Sequence, residues 1–330
     1  MDTSADTHGA GTTSTTSKLL IAGLASLALL VSILGTAPRS AAADEPLALY
    51  DTAWELPFFA QSSEIEIYFD QLEQSGYTGV WISLMNHMTS EKQDAISPVF
   101  GTTQATLDAS GEFDLTPTYR ARVLSILDEA DSHGLRVGLV PMWGVAYLHT
   151  NNAGNCSGTN MGPLTVDNAQ EWGNEVATAF GNHPALEAWV LGGDNFCSPS
   201  EDVNVWRNMS AGIRAAGASQ DITYHSGGWD ERQREFADES WIDFLSPQNG
   251  HCNSPAKTQQ QLSFLVSTYG KPVVAAELRY ETIEPGWNCP EHGPGDPVLA
   301  ADIVDDANAA LAAGVTGILY GHNERWQWGR

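Results

Sequence analysis

The sequence predicts an α/β fold, a (β/α)8 TIM barrel forming one domain over residues 44–330, and three observations predict it. Short β-rich apolar runs recur, segments with helical spacing alternate with them, and polar residues gather directly after the runs. The runs are residues 47–50, 78–84, 136–141, 186–191, 222–225, 242–245, 272–277 and 317–320. Several are apolar at nearly every position, as strands covered on both faces of a parallel sheet must be.

The segments between them carry helix signals in order. Ser63 and Glu66 have capping-box spacing for a helix with Ile65, Phe69 and Leu72 on one face, ended by Gly76. Thr116-Pro117 opens a helix carrying Tyr119, Val123, Ile126 and Leu127, and Gly134 stops it. Trp172, Val176 and Phe180 repeat at helical spacing before Gly181 and Pro184. Asp296-Pro297 is expected to start the helix that turns Val304, Ala307 and Leu311 inward and stops at Gly314. Ten residues follow Tyr320, too few for an eighth helix of ordinary length, so the final helix is expected to be missing or its seam covered by another segment. A doubly wound open sheet is the alternative, but no G-x-G-x-x-G follows the first run.

Charge narrows the partners. With 15 basic and 41 acidic side chains the net charge is −26, which repels phosphate backbones and anionic lipid headgroups. Residues 1–43 read as a signal peptide: Lys18, a largely apolar run over 19–35, then Ser40-Ala41-Ala42-Ala43 with an A-x-A cleavage pattern. An uncleaved anchor is the alternative. The expectation is a secreted, extracellular domain with no nucleic-acid partner and no stable membrane association once the signal is cleaved. Four cysteines, Cys156, Cys197, Cys252 and Cys289, suit two disulfides in an oxidising compartment. No C-x-x-C or Cys/His cluster favours zinc.

In such a barrel the carboxyl ends of the strands carry the chemistry. Here they present Asp51 and Trp54; His87; Trp143; Asp194 and Asn195; Trp229; Gln248 and His251; Glu277, Tyr280 and Glu281; and His322, Asn323 and Trp326. Carboxylates, amides, imidazoles and indoles on one rim suit a sugar, whose hydroxyls need polar partners and whose apolar face stacks on aromatic rings. Each has a plainer reading. Gly192-Gly193-Asp194 alone is a turn signal, Glu277 after 273–276 is also placed for a structural ion pair with Arg279, and Gln248 and His251 can satisfy loop backbone. Trp172 and Trp206, at helical spacing, read as core.

Two carboxylates on strands four and seven, across the barrel mouth, are what glycoside hydrolysis needs. Asp194 is the candidate acid, and Glu277 the candidate nucleophile or base. The chain has no G-x-S-x-G elbow, no H-E-x-x-H, no H-x-H on the first strand and no phosphate loop, so no metal and no cofactor is expected.

The segments Asp51-Thr52-Ala53-Trp54-Glu55-Leu56, Trp189-Val190-Leu191-Gly192-Gly193-Asp194, Gln248-Asn249-Gly250-His251, Glu277 with Tyr280-Glu281, and Tyr320-Gly321-His322-Asn323 with Trp326-Gln327-Trp328 resemble the apiosidase-like glycoside hydrolases, in that family's order. The resemblance implies a (β/α)8 catalytic domain that releases a furanose-type sugar such as apiose or arabinose from polysaccharide or oligosaccharide. It implies Asp194 as acid/base and Glu277 as the other carboxylate. Strand seven departs from the family's usual Gly before this Glu and Pro after it, and Arg279 is expected to bring positive charge towards the pocket. Family members often carry a C-terminal β-sandwich.

With the cysteines placed on that barrel, neighbouring loops pair as Cys156–Cys197 and Cys252–Cys289, two bridges bracing the rim. Retention of configuration is expected, because acids on strands four and seven of such barrels usually work by double displacement; the deciding observation is a carboxyl separation of about 5–5.5 Å, against about 6.5–9.5 Å for inversion. A carbohydrate-binding barrel without turnover is the alternative.

Overall fold

The computed structural model describes residues 47–85, 103–144, 162–193, 200–226, 231–285, 289 and 291–328. Its centre is a parallel sheet of seven strands: β1 (Ala48–Thr52), β2 (Gly79–Ser83), β5 (Arg136–Val140), β6 (Leu186–Gly192), β7 (Asp221–His225), β8 (Val274–Ala275) and β9 (Gly317–Tyr320), in the order β7-β6-β5-β2-β1-β9-β8. A hairpin of β3 (Ala105–Leu107) and β4 (Phe113–Leu115) lies apart from it.

The ring closes through the segment 243–249. Bridges His225↔Ser246 on one side, and Leu245↔Val273 and Gln248↔Glu277 on the other, place it between β7 and β8 as the eighth strand of a (β/α)8 barrel. The sixth run was expected at 242–245; the pairing instead extends to Gln248. Main-chain bonds run Leu245 to Pro272, Val274 to Leu245, Ala276 to Pro247 and Asn249 to Glu277. Towards β7 the ladder is partly replaced by side chains. Asp243 accepts the Ile222 N–H at 2.8 Å, Thr223 donates to the Phe244 carbonyl at 2.7 Å, and Pro247 has no N–H to give. An apolar run therefore marked only the start of this strand, and its polar end carries the site.

Helices follow the strands: α1 (Leu56–Phe59), α2 (Ser62–Gln74), α3 (Pro117–Ser132), α4 (Ala169–Phe180), α5 (Ser200–Ala215), α6 (Glu231–Ala237), α7 (Pro255–Tyr269), α8 (Ala300–Ala313) and α9 (Asn323–Trp326). Thr116 caps α3 ahead of Pro117, as expected, and Gly314 ends α8 in the left-handed region at φ 87°. Two starts differ. The capping box of α2 is Gln61 with Glu64, not Ser63 with Glu66, because the helix begins two residues earlier. Helix α8 begins at Ala300 rather than at Pro297, where Asp302 accepts the Leu299 N–H at 2.7 Å.

After β9 the described chain holds only the four-residue α9. Its seam is closed by Arg325, which reaches Asp51 of β1, and by Trp328, whose indole meets Tyr68 of α2 edge-on at 5.2 Å. The barrel interior is aromatic. Trp81 contacts Tyr50, Trp54, His225 and Phe244, and Gly138 makes room for it, since a Cβ there would lie 2.5 Å from the indole. Trp172 and Trp206 are buried in the helical layer, as their spacing predicted. The hairpin packs Phe113 on Trp172 at 5.3 Å. No helix among the described residues is long and apolar enough to cross a membrane.

Candidate active site

The C-terminal rim of the barrel converges on one carboxylate. Glu277 follows β8, is 5% exposed, and faces the end of the sixth strand because Gln248 pairs with it in register. Its Oε1 accepts the Gln248 amide and lies 3.2 Å from His251 Nε2. Its Oε2 lies 3.4 Å from His225 Nε2 and accepts the Tyr280 hydroxyl at 3.3 Å. Burial alone would raise this carboxyl's pKa, but the hydrogen bonds and charges of His225 and His251 outweigh it and hold the group well below the usual carboxylate range. An ionised carboxylate out of water is stable only with such a set of donors.

Around it stands an aromatic wall. Trp54 meets Trp143 edge-on at 5.1 Å, and both lie within 6 Å of the His225 ring. The Trp54 indole donates to the Tyr280 hydroxyl at 3.0 Å, and His251 packs edge-on against Tyr280 at 4.7 Å. Two glycine positions permit this closeness. Gly193, at φ 100°, would place a Cβ 2.6 Å from the Trp143 ring, and Gly321 would place one 2.0 Å from the Tyr280 ring.

A second group of charges lies on the β1/β9 side. Asp51 is fully buried; its Oδ2 accepts the Tyr68 hydroxyl at 2.6 Å and Arg325 at 3.1 Å. Burial pushes the Asp51 carboxyl up, against Arg325 and the Tyr68 hydrogen bond. Glu281 accepts the Tyr320 hydroxyl and bridges to His322, whose Nδ1 accepts the Glu324 N–H at 3.3 Å. Burial and the neighbouring Arg325 lower the His322 pKa. Asn323 accepts from the Trp326 indole at 3.4 Å, on the half-buried face of α9.

Arg279 does not bring charge to this rim. It is buried against α8, with Nε 2.7 Å from Asp306 and Nη1 2.8 Å from Glu291. In a regular strand two residues of this spacing would share a face, but the chain leaves strand geometry after β8, and Arg279 turns to Asp306 in the helix layer, so the two do not form the ion pair considered from sequence.

The structure thus brings Trp54, Trp143, Gln248, His251, Glu277 and Tyr280 together, and sets Asp51, Glu281, His322, Asn323 and Trp326 in the adjoining group. His87, Asp194, Asn195, Trp229, Cys156, Cys197 and residues 1–43 lie outside the described residues. The Cys252–Cys289 disulfide is present, with Cα atoms 5.0 Å apart. Two residues were missed from sequence. His225 ends an apolar strand and was read as part of it; Arg325 follows the last strand and gave no local signal. A grouping with metal-ligand spacing, Asp70, Glu73 and His133, sits at the C-terminal ends of α2 and α3, the barrel end opposite the rim.

A (β/α)8 barrel with a buried, histidine-flanked glutamate at the strand ends has the architecture of the barrel glycoside hydrolases. The chain belongs to the apiosidase-like family: the model of that family's catalytic domain matches residues 40–330. Among curated proteins no relative matches the chain. Solved structures share the fold. A family 5 glycoside hydrolase from Bacteroides vulgatus superposes with TM-score 0.64 at 22% identity, over 85% of this chain and 59% of that one. A structure named glycoside hydrolase gives 0.67 at 21%, over 86% and 63%. An endo-1,4-beta-mannanase from Rhizomucor miehei gives 0.57 at 13%, over 87% and 89%. The chain therefore spans about three fifths of the length of the first two.

Proposed function

We propose that the chain is a secreted glycosidase that releases a furanose-type sugar, such as apiose or arabinose, from plant or microbial polysaccharide with retention of configuration. The observation that carries this reading is the state of Glu277. A carboxylate held ionised in a dry, aromatic setting is suited to attack and not to proton donation, so the acid must come from elsewhere on the rim. Asp194, next after the Gly192-Gly193 turn, takes that role.

The steps follow from those roles. Asp194 gives its proton to the glycosidic oxygen while Glu277 bonds to the anomeric carbon and the bond to the leaving group breaks. Water then attacks the glycosyl ester, losing a proton to Asp194 and freeing Glu277 as carboxylate. His251 and Gln248 hold Oε1, and Tyr280 and His225 hold Oε2, so the carboxylate cannot swing from its line of attack.

The test is sugar release from a panel of plant and bacterial polysaccharides by wild type, Asp194→Asn and Glu277→Gln, with the anomer of the first product followed by NMR. Release by wild type alone, as the retained anomer, is expected. Glycan binding without release by any form would instead favour a binding protein on a barrel scaffold.

A further inference from the structure

His225 touches both segments that carry the proposed carboxylates. Its main-chain carbonyl accepts the Gly193 N–H at 2.8 Å, and a Cβ on Gly192, at φ 92°, would come within 2.4 Å of that oxygen. Asp194 is the next residue in the chain. The imidazole of the same residue reaches Glu277 Oε2 at 3.4 Å. We propose that His225 is a positioning residue that fixes the Glu277 carboxylate against the turn leading to Asp194. The proposal rests on the reading of those two carboxylates given above.

Packing alone does not account for an imidazole here. The ring is fully buried among Trp54, Trp81 and Trp143, at 5.7, 6.5 and 5.8 Å; among the described residues its Nδ1 has no hydrogen-bond partner and its Nε2 has only the 3.4 Å contact with Glu277 Oε2. A phenyl ring would fill that cage without burying an unmet polar atom and its desolvation cost. What an imidazole adds is a polar edge, and its Nε2 turns that edge to Glu277 Oε2 at 3.4 Å. Among the described residues the titratable groups facing Glu277 are His225 from β7, His251 from the loop after the sixth strand and Tyr280 from its own segment. His251 is partly open to solvent on Oε1, whereas His225 is sealed against Oε2, where solvent screening is least.

The test compares wild type, His225→Phe, His225→Gln and Glu277→Gln, each labelled with 13C at the glutamate carboxyl carbon. The Glu277 resonance is the one missing in Glu277→Gln, and its titration midpoint is read without any substrate. A midpoint raised by at least one pH unit in His225→Phe, and raised in His225→Gln as well, is expected. With a 4-nitrophenyl furanoside as probe, kcat falls 10- to 100-fold in His225→Phe with KM little changed, and His225→Gln recovers part of the loss. An unchanged midpoint in His225→Phe overturns the proposal. Should that variant not fold, an unchanged midpoint in His225→Gln does so. Full turnover by Glu277→Gln would instead overturn the role of Glu277, leaving the midpoints to decide on His225.

Discussion

The indole N–H of Trp54 points at the Tyr280 hydroxyl from 3.0 Å, so the phenol is left with its own proton to give to Glu277 Oε2. The indole thereby sets the direction of a hydrogen bond it does not make. Tyr280→Phe removes the donor to the carboxylate and also strands the buried Trp54 N–H. A loss of about 1–3 kcal/mol in unfolding free energy is expected from the unmet indole, together with a fall in kcat of about tenfold or more, the worth of one hydrogen bond to a charged group. Trp54→Phe should restore most of the stability in the Tyr280→Phe background, because both partners are then gone. Denaturant titration of the four forms measures this coupling; additive losses would mean that the two side chains act separately.

Asp51 and Arg325 fasten the end of the described chain to the first strand, in place of a full eighth helix. Both partners are withdrawn from solvent, and Tyr68 and the Tyr320 ring complete the surroundings of the pair. Arg325→Ala leaves a buried carboxyl with one hydrogen-bond donor, and the expected cost is about 3–5 kcal/mol. That corresponds to a drop in Tm on the order of 10 °C for a domain of this size. Asp51, already pushed up by burial, loses in Arg325 the largest influence opposing that rise, so the deficit should narrow as pH falls. Calorimetry of Arg325→Ala at neutral and acidic pH checks both; an unchanged Tm would mean that the pair does not hold the seam.

The barrel could be read from sequence because its strands are covered on both faces and so appear as unbroken apolar runs between helix signals. The same signal fails where a strand turns polar. Pro247 and Gln248 look like loop, yet Gln248 is in register with Glu277 through main-chain bonds from Ala276 to Pro247 and from Asn249 to Glu277, while side chains of Asp243 and Thr223 stand in for ladder bonds on the β7 side. Long-range pairing is equally silent. Nothing near Arg279 announces Asp306, 27 residues on, and nothing near Asp51 announces Arg325. His225 was hidden for the opposite reason: a histidine closing an apolar run looks like core, and only the folded ring shows what its Nε2 faces.

The Cys252–Cys289 bridge lies one residue beyond His251, which contacts Glu277, and ties that loop to the long connection after β8. Its two ends are 37 residues apart, a span for which loop closure predicts about 3–4 kcal/mol of stabilisation. Cys252→Ser with Cys289→Ser should therefore lower stability by up to that amount, and should reduce kcat more than binding, since it frees the residue that orients the carboxylate and not the sugar. Turnover and glycan affinity measured on the double variant separate these effects. Equal activity would confine the bridge to a stabilising role.

Glu277 also sets a direction for the dependence of stability on pH. Its folded-state pKa lies below its unfolded value, so the unfolded chain binds the extra proton in the interval between the two. Stability contributed by the ionised carboxylate is complete above the unfolded value, about 4.3 for a glutamate, and is lost as pH falls towards the folded value. Glu277→Gln has no such proton to take up. Wild type should therefore lose stability relative to Glu277→Gln as pH is lowered from about 5 to about 3, while the difference between them stays constant above pH 6. Denaturant unfolding of both proteins across that range measures the difference directly. A gap that widens in wild type's favour on acidification would mean that Glu277 is protonated in the folded enzyme, and the roles of the two carboxylates would have to be exchanged.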